Sequence, residues 1–349
     1  MTNKPDYHHH EEFQNRTKKI EELRALGIDP YPHQFTPENT ATKLHESFDH
    51  ATVGHSEDAA LKKTEAVSVA GRLVLFRAMG KNIFAQIQDE TGRIQVMFNR
   101  EHTKINGLDT SKLEEGTTPL KILEKKFDIG DIIGIRGNLF HTQKGELTIF
   151  ADDVTLLCKT VLPLPEKHSG LHDKELRYRK RWLDLIANQE VKDTFLKRSH
   201  IFRSIRSFMN EYEFIEVETP ILGSVYGGAD ARPFETKLNA LNQEMFMRIS
   251  LEPSLKKLIV GGLKRVFEIG KCFRNEGIDR SHNPEFTMLE FYQAYAEYHD
   301  LIDLTEAMLR GIAQEVVGHT VITYQGEQYD FGKPFDRMTV VESILHFNP

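Results

Sequence analysis

Several features that would assign this 349-residue sequence to a class at once are absent or rare. Its two cysteines, Cys158 and Cys272, are far apart and fit neither a disulfide framework nor a metal site, so we expect reduced thiols. There is no run of eighteen apolar residues, and we expect no membrane span. The first residues lack the apolar stretch of a secretory signal. Together these absences predict a cytoplasmic protein.

Length and charge set further limits. At 349 residues the chain is too long for one ordinary core, which predicts two or three domains. The net charge of −7 gives no global sign of nucleic-acid binding, so any such function must come from local patches.

The first predicted region, residues 1–65, consists of a helix and a connector. Apolar residues at helical spacing among many charges predict a helix over 11–27, with Gly27 as its stop. Residues 29–65 are rich in Pro, His, Thr and Asp and predict a loop-rich connector.

The second predicted region, residues 66–160, has the pattern of a small β-barrel. Five short strand-like runs occur, with a helix expected between the third and the fourth, which is the layout of an OB-fold. Such barrels bind single-stranded nucleic acid through aromatic platforms and basic edges. The pattern is equally that of a core Phe84 with solvated neighbours. The residues that could form a binding surface are Arg72, Arg77, Phe84, Gln88 and Gln95.

A linker over residues 161–188 contains Pro163 and Pro165 and predicts a domain boundary. The basic stretch 177–181 and the amphipathic helix predicted over 189–213 could meet RNA phosphates. A solvated basic face explains the same residues equally well.

The last region, residues 189–349, carries the densest chemistry. We predict a strand that begins at Phe214 and ends near Pro220, where no N–H is available for a ladder, a strand-like segment over 245–250, a helix from Glu252 to Ile259, and a hairpin of 266–274 with 285–292. Alternation with period two places an aromatic ring, a carboxylate, a phenol and a guanidinium on one face of that hairpin. Arginine suits phosphate or carboxylate, and a carboxylate beside a phenol suits a cation. An interior Arg–Glu pair that closes the sheet is the alternative. The four residues are Phe286, Glu290, Tyr292 and Arg274.

With these motifs the chain resembles the class II lysyl-tRNA synthetases almost continuously from residue 11 to 349. Phe273–Gly277 followed by Arg280–Glu290 is similar to the second signature motif of the family in its lysine-type wording. The segment 214–222, ending after Pro220, is similar to the first motif, which builds the dimer interface in the family. Further matches are Gly227–Phe234, Met79–Phe84 and Gly92–Gln95.

The resemblance implies an α+β multidomain fold, in which an OB-fold barrel precedes an antiparallel class II sheet flanked by helices. It implies a homodimer that joins L-lysine to tRNA(Lys) through lysyl-adenylate, with ATP as substrate and Mg²⁺ as cofactor. The implied ATP-binding residues are Arg274, which is also catalytic, Glu276, His282, Asn283 and Phe286. The implied lysine-binding residues are Gly228, Glu252, Glu290 and Tyr292. The implied anticodon-binding residues are Arg77, Phe84, Gln95 and Glu146.

One motif of the family is missing. The Gly-rich third motif does not occur, and Phe331–Met338 imitates only its final Asp-Arg. We therefore expect the Mg²⁺ ligands and the last ATP-binding arginine beyond Pro349, and we expect the chain to be inactive alone. The alternatives are an aspartyl- or asparaginyl-type synthetase, a lysine ligase acting on a protein, and a non-catalytic RNA-binding paralogue.

Overall fold

The computed structural model describes residues 6–48, 54–55, 64–164 and 171–348. Its contacts divide the chain into two compact units, unit 1 (residues 1–187) and unit 2 (residues 188–349). No helix in these described ranges has both the length and the apolar composition that crossing a bilayer requires.

Unit 1 is built on a closed barrel of five strands, as the sequence predicts. Along β3 the residues Ile83, Ala85 and Ile87 are buried, while the alternating positions between them are half-exposed. The inward residues of all five strands form one apolar core. The order of the sheet is β1-β6-β2-β3-β4-β7-β5, and the pairing of β6 with β7 closes the barrel. The strands are β1 (Gly54–His55), β2 (Ala66–Met79), β3 (Asn82–Gln88), β4 (Arg93–Asn99), β5 (Lys104–Ile105), β6 (Ile132–His141) and β7 (Leu147–Cys158).

The helices of unit 1 agree with the predictions only in part. The first ends just before Gly27, whose φ of +87° allows the turn. The helix expected between the third and fourth strand-like runs is present and starts at Pro119, capped by the side chain of Thr118. The expected connector contains a helix, and the expected linker contains two. The helices are α1 (Glu11–Ala25), α2 (Ala41–Ser47), α3 (Pro119–Lys126), α4 (Lys174–Arg179) and α5 (Arg181–Ala187), with 3-10 turns at Asp6–His9 and Thr110–Lys112.

A buried ion network, here called the Lys159 network, joins α1 to the barrel. Lys159 lies 2.6 Å from Asp128 and 2.9 Å from Asp131, and Lys19 of α1 lies 2.6 Å from Asp128. Burial raises the pKa of Asp131, although Lys159 opposes the rise. Arg16 adds a hydrogen bond to the carbonyl of Ile129. The N-terminal helix is therefore held by charge as well as by apolar packing.

Unit 2 contains several small sheets and four helices. The longest strands pair as the predicted hairpin, and β8 adds to it in parallel. The helix Tyr298–Val317 (α8) begins after a capping box between Glu297 and Asp300 and is followed by Gly318, whose φ is +86°. The strands are β8 (Ile215–Glu216), β9 (Leu222–Gly223), β10 (Glu235–Leu238), β11 (Gln243–Met247), β12 (Arg265–Phe273), β13 (Glu285–Gln293), β14 (Val321–Tyr324) and β15 (Glu327–Asp330). The helices are α6 (Gln189–Glu211), α7 (Glu252–Val260), α8 (Tyr298–Val317) and α9 (Val340–Phe347).

The β12–β13 hairpin separates two small cores. One face, with Phe267 directly opposite Phe291, packs on apolar residues of α6 and α8 such as Met209 and Met308. The other face packs on Leu255 of α7. The helices cover the two faces only in part, since all but one residue of β13 are half-buried.

The prediction of a strand from Phe214 to near Pro220 is wrong in its length. Only Ile215–Glu216 and Leu222–Gly223 are strands. The N–H of Val217 donates to the carbonyl of Phe267. The N–H of Thr219 donates to the side chain of Glu268 instead of a neighbouring strand, so strand pairing does not continue. Pro220 then supplies no N–H at all. The strand predicted over 245–250 also ends early, at Met247.

Candidate active site

The register of the β12–β13 hairpin agrees with the predicted common face. Glu268 lies directly opposite Glu290, and Cys272 lies opposite Phe286. Residues opposite each other in an antiparallel pair point to the same side. The hairpin therefore presents Phe286, Glu290 and Tyr292 together on the side of α7, here called the ligand face.

Glu290 is held by neutral donors. Its Oε1 accepts a hydrogen bond from the N–H of Leu251 at 3.0 Å, and its Oε2 accepts one from the hydroxyl of Tyr292 at 3.2 Å. Burial and then the charges of Glu290 and Glu252 raise the pKa of Tyr292, which keeps the phenol protonated. Among the described residues no cation forms an ion pair with Glu290. A half-buried carboxylate without a cation favours a cationic ligand.

Arg274 shows the complementary arrangement. Its Nε donates to the carbonyl of Ile249 at 3.4 Å, and its guanidinium carbon lies 5.2 Å from the ring centroid of Phe286. In the part of the chain that the structure describes, no carboxylate lies within ion-pair distance of Arg274. The remaining N–H donors are suited to a planar or tetrahedral anion.

Gly228 and Glu252 lie against each other beside this face. Gly228 has a φ of +85°, and a Cβ there would lie 2.1 Å from Oγ of Ser250 and 2.9 Å from Cβ of Glu252. Only glycine fits that position without rearrangement. The carboxylate of Glu252, in the first turn of α7, lies 2.6 Å from the ammonium of Lys256.

All three predicted residues of the loop between the two strands are exposed, and one of them is tied to a neighbouring segment. Glu276 accepts a hydrogen bond from the N–H of Arg232 at 2.9 Å, which ties the loop to the segment after Gly228. His282 lies 2.8 Å from Asp279, and its side chain is 74% exposed. Asn283 is exposed. Among the described residues, no side-chain hydrogen bond or ion pair joins His282 or Asn283 to Arg274 or Phe286.

A buried charged cluster next to the ligand face was missed by the sequence reasoning. Arg248 lies 2.7 Å from Glu268, and their side chains are only 10% and 3% exposed. Thr219 donates its hydroxyl hydrogen to Glu268 at 2.6 Å. The signal in the sequence is Gly270, since a glycine inside a strand often marks a close approach. A Cβ at Gly270 would lie 2.3 Å from Nη2 of Arg248.

Three of the predicted barrel residues lie on the same outer side of β2, β3 and β4. Arg77 on β2 lies directly opposite Phe84 on β3. Gln95 on β4 donates to the hydroxyl of Thr148 at 2.8 Å, and Glu146 precedes that residue in the turn before β7. Phe84 is half-buried and packs against the barrel core, so it combines a core contact with a partly open ring.

Comparison with known proteins decides the family. A family model described as an OB-fold nucleic acid binding domain matches residues 67–157. A second, described as tRNA synthetases class II (D, K and N), matches residues 173–348, which is half of the chain. The chain belongs to the class II tRNA synthetases. Its hairpin of β12 and β13 and its barrel fall within these two matched regions.

Several curated relatives of this class II synthetase are named lysine–tRNA ligases. It is 52% identical to the lysine–tRNA ligase of Chlamydia felis, covering 99% of this chain and 66% of the relative. It is 48% identical to that of Idiomarina loihiensis, covering 100% of this chain and 67% of the relative. It is also 48% identical to the heat-inducible lysine–tRNA ligase of Escherichia coli, with 97% and 64% covered. The chain thus spans about two thirds of the length of these relatives.

The described part of this synthetase contains no group of three His, Cys, Asp or Glu side chains that could hold a metal ion. The Mg²⁺ ligands expected beyond Pro349 stay a prediction. The face beside Arg274 also contains the buried thiol of Cys272, whose pKa burial raises to about 11. That thiol is consequently protonated and unreactive near neutral pH.

Proposed function

We propose that this chain contributes the amino-acid and nucleotide sites of a lysine–tRNA ligase. The observation that carries the proposal is the pairing of Arg274 and Glu290 on one hairpin, each without a partner of opposite charge among the described residues. Leaving a half-buried charge without its counterpart is costly unless a ligand supplies it. Lysine and ATP together supply both counterparts.

In the proposed first step, a carboxylate oxygen of lysine attacks the α-phosphorus of ATP, and the bond to pyrophosphate breaks. Arg274 holds the α-phosphate and offsets the negative charge that develops there. Phe286 stacks on adenine, with Glu276 and Asn283 beside it, and His282 approaches the terminal phosphates. In the second step a ribose hydroxyl at the 3′ end of tRNA attacks the lysyl carbonyl, and AMP leaves.

The proposed lysine pocket explains the choice of amino acid by charge. Glu290 and the neutral hydroxyl of Tyr292 receive the ε-ammonium, while Glu252 receives the α-ammonium beside Gly228. Glu290 would repel the carboxylate of a bound aspartate, and the amide of a bound asparagine would leave Glu290 without a cation. This argues against the aspartyl and asparaginyl alternatives, in agreement with the names of the relatives.

The remaining substrates and partners are proposed on the same basis. Phe84, Arg77, Gln95 and Glu146 on the barrel read the U-rich anticodon of tRNA(Lys) by stacking and base-edge contacts. The active form is a cytoplasmic homodimer. Mg²⁺ is the cofactor that we propose for this phosphoryl chemistry, and the described residues contain no group of three His, Cys, Asp or Glu side chains that could hold it.

The test is lysine-dependent exchange of pyrophosphate into ATP, measured in the protein containing this chain together with any sequence that follows Pro349. The substitution Arg274→Ala is expected to lower the exchange rate about 100-fold or more. Arg265→Ala, at the other end of β12 and paired with Glu213, is the matched control and should leave exchange nearly unchanged.

Three results would contradict the proposal. Normal exchange in Arg274→Ala would remove the assigned role of that residue. Exchange with aspartate or asparagine but not lysine would overturn the specificity. Retained tRNA binding without exchange of any amino acid would support the non-catalytic paralogue.

A further inference from the structure

The guanidinium of Arg248 is the centre of a buried hydrogen-bonded cluster that has no assigned role. Its Nη1 donates to Glu268 at 2.7 Å and to the carbonyl and hydroxyl oxygens of Thr219 at 3.0 and 3.1 Å. Its Nε donates to the carbonyl of Lys271 at 2.8 Å. One side chain thus joins the chain before Pro220 to two positions of β12. We call Arg248, Thr219 and Glu268 the Arg248 cluster.

The main chain around Arg248 is fixed from both sides. Its N–H donates to the carbonyl of Ile221, and its carbonyl accepts from the N–H of Phe273. Gly270 makes room for the guanidinium, because a Cβ would lie 2.3 Å from Nη2 of Arg248 and 2.9 Å from Oε1 of Glu268. The close approach is therefore built into the strand.

The segment that follows Arg248 contacts both Arg274 and Glu290. The carbonyl of Ile249 accepts from Nε of Arg274, and the N–H of Leu251 donates to Oε1 of Glu290. Glu252 then begins α7. A shift of this short segment would move the partner of the proposed phosphate-binding arginine and the partner of the proposed ammonium-binding carboxylate at the same time.

The cluster also separates two carboxylates. Glu268 lies directly opposite Glu290 in the strand register, where like charges repel each other. Arg248 offsets the charge of Glu268, so Glu290 remains the carboxylate on this pair that can receive a cation.

We propose that Arg248 is a positioning residue, which holds the segment 248–252 against β12 and so sets the geometry of Arg274 and Glu290 together. The inference rests on the proposed function for its kinetic meaning. It assigns to Arg248 no contact with substrate.

The kinetic test uses Arg248→Lys, which keeps the positive charge but cannot reproduce the forked set of donors. We expect the exchange assay to show a loss of kcat/KM of about tenfold or more, with KM raised for both lysine and ATP. Glu290→Gln should instead raise KM mainly for lysine. Arg265→Lys, on the same strand, is the matched control.

A second test asks whether the shape of the guanidinium matters. In Arg248→Ala, added guanidinium ion should raise the rate of pyrophosphate exchange into ATP several-fold, whereas ethylammonium should not. Where that variant does not fold, Thr219→Val keeps the side-chain volume, removes one hydroxyl of the cluster and should reproduce the joint rise of both KM values at smaller size.

Hydrogen exchange separates the two proposals. In Arg248→Lys the amides of Leu251 and Phe273 should exchange faster, while the amides of α8 stay unchanged. If the unaltered protein shows no lysine-dependent exchange of pyrophosphate into ATP, the proposed function fails. The hydrogen exchange of the amides then decides alone whether Arg248 positions the segment. Unchanged amide protection, or a change confined to one KM, would overturn the positioning role.

Discussion

In unit 1 the buried ammonium of Lys159 lies within 3 Å of two carboxylates, whereas in unit 2 Glu290 and Arg274 contact only neutral groups among the described residues. The barrel also pairs its five long strands around a closed circuit, while β13 is hydrogen-bonded on one side only within the described ranges. Both regions place charge in or near an apolar core. Only the first satisfies that charge from within.

The difference separates charge that stabilises from charge that binds. A buried pair with complete hydrogen bonding contributes to one defined structure but is unavailable to a ligand. A half-buried charged group with incomplete partners lowers the stability of the folded state, and a ligand that pairs with the group raises it again. The Arg248 cluster stands between the two, since it is internally paired but supports the ligand face.

The largest expected effect breaks the closed arrangement of unit 1. Lys159→Met keeps most of the volume but leaves Asp131 buried without its cation, and should lower the free energy of unfolding of unit 1 by about 3–5 kcal/mol. Calorimetry, with hydrogen exchange to assign the transition, measures it. Lys18→Met on α1, where the lysine is 77% exposed, should change less than about 0.5 kcal/mol. Equal effects of the two substitutions would contradict the comparison.

The next effect is a loss of stability at alkaline pH, to which Cys272 in unit 2 contributes. Burial raises the pKa of Cys272 from 9.0 to about 11, so the folded state favours the protonated thiol. This contribution is fully present below pH 9 and is lost as the pH rises through 11. It amounts to about 2–3 kcal/mol of unfolding free energy. Urea unfolding at pH 8 and pH 11 should show the loss, and Cys272→Ala should reduce it. Cys158→Ala, in unit 1, should not.

A neighbouring pair of glycines tests how tightly the ligand face is built. Gly228→Ala places a Cβ against Ser250 at a φ of +85°, and should cost about 2 kcal/mol and weaken lysine binding. Gly227→Ala is the matched control, because its nearest contact would be Pro253 at 4.0 Å. Thermal unfolding and lysine titration measure both. Identical behaviour of the two variants would show that the close approach has no effect.

The smallest expected effect concerns the exposed ion pair at the edge of the site. Lys256→Ala removes the ammonium that lies 2.6 Å from Glu252, in a pair whose side chains are 60% and 36% exposed. Its loss should cost α7 about 0.3–0.5 kcal/mol. If Glu252 receives the α-ammonium of lysine, KM for lysine should fall slightly as the competitor is removed. A rise in KM would indicate that Lys256 instead orients Glu252.

Much of the fold follows from local patterns. Alternation with period two predicts the barrel strands and the common face of Phe286 and Glu290, and the register of β12 with β13 confirms that face. The same reasoning is wrong for 214–222, where apolar β-type residues suggest a strand. There the main chain donates a hydrogen bond to the side chain of Glu268, 49 residues away, which no local pattern contains.

The sequence by itself determined the barrel, the hairpin and the family, because strand alternation, turn residues and motif wording are properties of neighbouring residues. Only the tertiary structure decided which charges have partners. It paired Lys159 with Asp128 and Asp131, placed Arg248 on Glu268 across Gly270, and left Glu290 facing Leu251 and Tyr292. The physical reason is that the cost of a charge depends on its burial and on its nearest partner in space, and both come from residues distant in the chain.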